Sequence, residues 1–155
     1  MERNRCADCL LFKQASSWIG TPFKLRDYVR GRGADCVSAP ASVWVEVGLL
    51  SKEKFLEFYN VRMLGLFRRD QQEFLHQLRI LLGPDYKVDT SDKTVNCGDI
   101  VIRVIGRYRE MFTALFVSNR FLVARPASGV LWLQSFEFDY KVSKTDFRCP
   151  YDTVQ

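Results

Sequence analysis

The chain has 155 residues, with 47% apolar, 14% aromatic and 26% charged side chains, the size and balance of one folded domain spanning residues 1–155 rather than of a disordered chain. Its formal charge of +5 is interspersed with 18 acidic side chains and forms no long basic run, so nucleic acid is not an expected partner. No apolar stretch approaches the roughly 18 residues of a membrane helix, and Met1-Glu2-Arg3-Asn4-Arg5 leads into charged sequence, so no membrane association is expected and the chain is read as cytoplasmic when synthesised.

The five cysteines are an odd number, so at least one thiol is unpaired, which suits a reducing compartment. Cys6 and Cys9 form a lone C-x-x-C, while Cys97 and Cys149 stand singly beside a single histidine, His76, which supplies a four-ligand zinc site poorly. We therefore expect no metal and no cofactor, with Cys6 and Cys9 as two positions on a first helix.

In chain order, Leu11, Ala15, Trp18 and Ile19 recur at helical spacing between about Arg5 and Ile19, and Gly20-Thr21-Pro22 stops them. The following loop, Lys24 to Gly33, carries Lys24, Arg26, Arg30 and Arg32, and two readings of it stand: a solvated basic surface, or a grip on an acidic ligand. Beyond Cys36 a second helix places Val37, Ala41, Trp44, Val45 and Gly48 on one face, with either Asp35 or Ser38 as its cap and Pro40 in its first turn. Ser51 caps a short helix holding Phe55 and Phe58. Asp70 with Glu73 opens a longer one that turns Phe74, Leu78 and Leu81 inward, leaves His76 outside and ends at Gly83-Pro84.

From Asp99 the period changes to two, predicting strands over Ile100–Ile105, Met111–Val117, Arg120–Arg125, Val130–Gln134 and Phe136–Val142, with turns at Ser118-Asn119 and Pro126–Gly129. Helices first and a strand meander second predict an α+β fold, helices on one face of an antiparallel sheet of about five strands.

Cys36 is the residue with chemical potential. A cysteine that follows a Gly/Asp turn and opens a helix meets unpaired backbone N–H groups and the positive end of the helix dipole, which stabilise a thiolate. The competing reading is a buried, inert thiol.

The ordered motifs around it resemble the NlpC-type cell-wall cysteine peptidases, and among them the phage-encoded subgroup. Trp18-Ile19-Gly20-Thr21-Pro22-Phe23 resembles the family's W-x-G-T-P-Y entry, Gly33-Ala34-Asp35-Cys36 its nucleophile turn, and Gly98-Asp99-Ile100-Val101 its strand start. Thr113–Val117 with Arg120-Phe121-Leu122 resembles the hairpin after the catalytic histidine, Ser128-Gly129-Val130 the next turn, and Phe147-Arg148-Cys149-Pro150 the tail. The resemblance implies a papain-like fold that, in active members, cleaves peptide bonds of bacterial cell-wall stem peptides.

The departures fall on the chemistry. The resemblance puts Phe112 at the histidine position, Val123 at that of the third, polar residue, and Phe23 where a substrate-holding tyrosine is usual, which leaves Cys36 and Asp35 of the apparatus. A cysteine peptidase needs a base for the thiol proton and a group to orient that base. Phenylalanine and valine do neither. Strand parity sets Glu110 beside Phe112 and Arg125 beside Val123; Arg125 would lower the thiol pKa and Glu110 would raise it.

The reading that follows is a degenerate, inactive peptidase-fold protein that serves as a binding or structural module, its partner a stem peptide or a phage structural protein and its setting a phage tail, virion or prophage remnant. The alternative is an active thiol hydrolase or acyltransferase with a relocated base. The first reading predicts that Phe112, Ala114 and Phe116 share one face, that this face meets Cys36, and that the thiol pKa rises.

Overall fold

A computed structural model describes residues 10–107 and 109–147. Cys6, Cys9 and Cys149, and the resemblance over Arg148-Cys149-Pro150, lie outside the described residues.

Among the described residues five helices precede most of the strands: α1 (Leu10–Ser16), α2 (Ser38–Glu46), α3 (Lys52–Phe58), α4 (Val61–Arg69) and α5 (Gln71–Leu82). Their starts are chemically marked. Ser51, Asn60 and Asp70 each sit in extended backbone and accept a hydrogen bond from the main-chain N–H three residues on, of Lys54, Met63 and Glu73 respectively, satisfying a donor the helix itself leaves open. Gly83, at φ 86°, ends α5 as expected. α4 was not foreseen. Its signal was present, an Asn60 cap, Met63 and Phe67 four apart and buried, and Arg68-Arg69 in the last turn, but Gly65 interrupts it.

A two-stranded ribbon, β1 (Tyr28–Val29) with β2 (Gly33–Ala34), closes the basic loop. The main sheet has β3 (Tyr86–Asp89), β4 (Ile100–Ile105), β5 (Glu110–Val117), β6 (Arg120–Arg125), β7 (Gly129–Leu133) and β8 (Tyr140–Lys144) in the order β3-β8-β4-β5-β6-β7, every pairing antiparallel. The architecture is therefore α+β, with six strands where five were expected, β3 being the addition. The last expected strand, Phe136–Val142, is also shorter and shifted. Asp139 donates its N–H to Ile102 O, while its carboxylate accepts from Val104 N–H, and the chain before it folds Phe136 back against Phe121, rings 5.8 Å apart.

Alternation along the strands divides the apolar residues between two faces. Ile100, Ile102, Met111, Leu115, Val117, Leu122, Ala124, Val130, Tyr140 and Val142 meet the helices in the main core, around buried Trp18, Trp44, Phe55, Phe67 and Phe74. Phe67 and Phe74 join α4 to α5 edge-to-face at 4.9 Å, and Trp44 donates Nε1–H to Gly98 O at 2.8 Å, fixing α2 to the loop before β4. The far face carries a second, smaller cluster: Val101, Ala114, Phe121 and Val123, with Phe116, Leu131, Leu133, Phe136 and Phe138 packed on it.

The segment after α1 is stitched to the edge strand β7. Gly20 N–H donates to Val130 O at 3.0 Å and Val130 N–H to Thr21 O at 2.9 Å. Gly129 lies so near that a Cβ there, besides its φ of +73°, would sit 2.4 Å from Thr21 O. The W-I-G-T-P-F motif and the Ser128-Gly129-Val130 turn are thus two halves of one backbone junction.

Candidate functional site

The site is built at the start of α2. Val37 is the residue that caps α2, and it is the buried side chain of Asp35, rather than that of Ser38, that meets the open donors there: its Oδ1 accepts from Val37 N–H at 3.0 Å and Ser38 N–H at 2.8 Å, and its Oδ2 accepts from Arg26 N–H at 3.0 Å and from the Tyr59 hydroxyl. Ser38 Oγ accepts from Asp35 N–H at 2.9 Å and donates to Asp27 O at 2.7 Å. Pro40 falls within the first turn, where its missing N–H costs nothing. Tyr59 is pushed above the usual phenol range by burial and then by its bond to Asp35, so it is a fixed donor and not a base.

Cys36 lies between that cap and strand β5. Its carbonyl oxygen accepts from Thr113 N–H at 3.2 Å and Thr113 Oγ1–H at 2.6 Å, and its thiol donates to the main-chain oxygen of Met111 at 3.2 Å. Burial chiefly, then the negative charge of Asp35 and more weakly that of Glu110, push the thiol pKa up to about 12. The carbonyl acts in the same direction, since its lone pairs accept S–H but repel a thiolate. The thiol pKa rises as expected, chiefly through desolvation, although Phe112 is not the group that buries the sulfur.

Phe112 does not face the sulfur. Phe112, Ala114 and Phe116 do share one side of β5, and that side belongs to the far-face cluster, while Met111 and Thr113 point with Leu115 and Val117 toward the helices and Cys36. The side of β5 that meets Cys36 carries Met111 and Thr113, so Phe112 stands on the opposite side of the strand from the thiol. Val123 is likewise on the far face, opposite Leu131, and Arg125, paired with Gly129 at the strand end, shares that parity and is exposed. Neither is brought to Cys36. Glu110 shares the far-face parity too and acts on the thiol only as a weak charge.

Phe23 remains beside the nucleophile turn. It bridges Ala34 in parallel, flanked by Lys24 N–H to Ala34 O and Ala34 N–H to Pro22 O, both 3.0 Å. The basic side chains of the loop are exposed, and several of them pair within the chain. Arg32 forks onto buried Asp27 at 3.0 and 2.8 Å, holding that carboxyl below the usual range, and Arg30 stacks over Trp18 at 5.2 Å while pairing with Glu46, which also accepts from Trp18 Nε1–H at 2.9 Å. Exposed and paired within the chain, the loop fits the reading of a solvated basic surface. His76 is exposed on α5, as its position off the apolar stripe implied. Cys97, which stands singly in the sequence, is disulfide-bonded, whereas Cys36 is free.

Met111, Thr113 and Tyr59 are the site residues that sequence reasoning missed. Met111 and Thr113 carried a usable signal, their common parity with Leu115 and Val117. Tyr59, 24 residues from Asp35, carried none.

No protein-family model and no curated protein sequence matches the chain. Among solved structures, the chain is similar to the NlpC/p60 domain of the peptidoglycan hydrolase SagA, at 18% identity over 91% of this chain and 99% of that one, with a TM-score of 0.50. A likeness at that identity speaks for architecture, and together with the five helices laid on one face of an antiparallel sheet it gives the conclusion that this chain has the papain-like α+β fold of an NlpC/p60 domain.

Proposed function

We propose that the chain is a degenerate relative of the cell-wall cysteine peptidases, retaining the fold as a binding or structural module. The observation that carries this reading is the partner of the thiol: a backbone carbonyl of Met111 at 3.2 Å, in place of an imidazole. A carbonyl takes no proton near neutral pH, so it neither activates the sulfur nor returns a proton to a leaving amine. The sole histidine of the sequence is on exposed α5 and offers no substitute. With its pKa pushed up to about 12, the Cys36 thiol is protonated at neutral pH.

The fold supports a stem peptide as the ligand class, and the phage-subgroup motifs support a tail, virion or prophage setting with a structural protein as the other partner. The disulfide at Cys97 fits a virion or other oxidising setting better than a reducing one.

The test is incubation of the protein with purified cell-wall stem peptides beside a Cys36→Ser control, products read by mass spectrometry. We expect no Cys36-dependent cleavage. Turnover above background that disappears in Cys36→Ser overturns the reading and establishes a working thiol hydrolase.

A further inference from the structure

Beneath α3, where α2 and α5 meet strands β4, β5 and β8, lies a cavity of about 50 Å³. We propose that it is a binding site in its own right and that it takes the tail of a short unbranched alkyl carboxylate, whose head group pairs with Lys54 at the mouth.

The wall decides the tail. Among the described residues that line the cavity, Trp44, Thr113 and Lys54 are those with a polar side-chain atom, and two of these are engaged elsewhere. Trp44 Nε1–H donates to Gly98 O at 2.8 Å, and Thr113 Oγ1–H donates to Cys36 O at 2.6 Å. The rest of the wall is aliphatic and aromatic carbon. A cavity of that kind leaves its walls short of contacts, and an apolar chain end restores them. Apolar cavities of roughly 150 Å³ take benzene. One of about 50 Å³ excludes a ring and admits a slim chain.

The mouth decides the head group. Lys54 and Phe58, one turn apart on α3, are the lining residues that are not buried, so entry lies between them. The Lys54 ammonium is held there by a hydrogen bond to Leu82 O at 2.8 Å, at the end of α5, and sits 5.5 Å from the centre of the Tyr86 ring. That bond uses one of its three N–H donors, and no carboxylate pairs with it among the described residues. A fixed cation with donors to spare, set over an apolar mouth, answers a carboxylate on an alkyl chain.

The inner wall reaches the nucleophile turn, since Val37 follows Cys36 and Thr113 holds the Cys36 carbonyl. Occupancy can therefore be read at those two residues as well as at the mouth.

The test titrates butanoate, acetate and butan-1-ol into the full-length protein and follows the backbone amide signals of Val37, Lys54 and Thr113 by NMR. Butanoate should shift all three. Acetate lacks the tail and butan-1-ol lacks the charge, so each should bind about tenfold more weakly. Ala41→Val adds two methyl groups to the α2 wall of the cavity and should abolish butanoate binding while the melting temperature holds or rises. Lys54→Met keeps the apolar stem and removes the ammonium, so butanoate should fall to the level of butan-1-ol while the alcohol binds as before. Lys54 is partly exposed, and this variant carries the test alone if Ala41→Val does not fold. The proposal is overturned if butanoate shifts none of the signals or only that of Lys54, or if acetate or butan-1-ol binds as tightly. It is equally overturned if folded Ala41→Val or Lys54→Met binds butanoate as the parent does.

Discussion

The thiol of Cys36 donates to the main-chain oxygen of Met111 across 3.2 Å, a contact between residues 75 apart in sequence. It joins the start of α2 to β5, and it holds the sulfur in its protonated form.

Reactivity follows from that form. Alkylation of Cys36 by iodoacetamide should be slow at neutral pH and should rise about tenfold per pH unit, without a plateau, through at least about pH 10. Peptide-mapped rates across that range check this, and an inflection below about pH 8 would show a thiolate stabilised by a group this geometry lacks.

The same shift makes a prediction about stability. The folded-state pKa of Cys36 is raised above the unfolded value, so the protonated thiol contributes stability that is full below about pH 8.5 and is lost as pH rises toward about 12. Urea unfolding at several alkaline pH values should show the parent losing up to about 1.4 kcal/mol per pH unit more than Cys36→Ala. Equal slopes would sink the assignment.

Strand parity predicts which substitution reaches the sulfur. Met111→His should speed alkylation of Cys36 several-fold, because position 111 lies on the helix-facing side of β5. Phe112→His, on the far side, should leave the rate unchanged. The opposite ranking would mean that β5 is shifted by one residue.

The Asp35 network should be costly to break. Tyr59→Phe removes one hydrogen bond to a carboxylate and should cost about 1–3 kcal/mol. Asp35→Ala strands the N–H groups of Arg26, Val37 and Ser38 as well as the Tyr59 hydroxyl, and should cost about 3–5 kcal/mol. Chemical denaturation measures both, and a smaller loss for Asp35→Ala than for Tyr59→Phe contradicts the account.

Gly129→Ala tests the junction between the W-I-G-T-P-F segment and β7. The added Cβ meets a backbone oxygen, Thr21 O, which has no rotamer to change, and the φ of +73° is itself unfavourable for alanine. A loss of at least about 2 kcal/mol is expected. A variant as stable as the parent would show that the two segments separate freely.

The sequence by itself determined the elements whose signals are local. Side chains three residues from the N–H they cap announced α3 and α5, Gly83 announced the end of α5, and alternation with a two-residue turn announced β5 and β6. It also determined that an antiparallel sheet follows helices, and which residues of β5 share a side. It could not say which side faces the helices, because both are apolar: Met111, Leu115 and Val117 fill the main core, and Phe112, Ala114 and Phe116 stand on the side of the second cluster. In a strand with one polar face, parity alone would have oriented it; here the side that meets the helices is marked by Thr113, whose N–H and hydroxyl both donate to Cys36 O. Only the tertiary structure brings Met111 to the Cys36 thiol and Tyr59 to Asp35 beside it, since burial and long-range hydrogen bonds leave no trace in residue spacing.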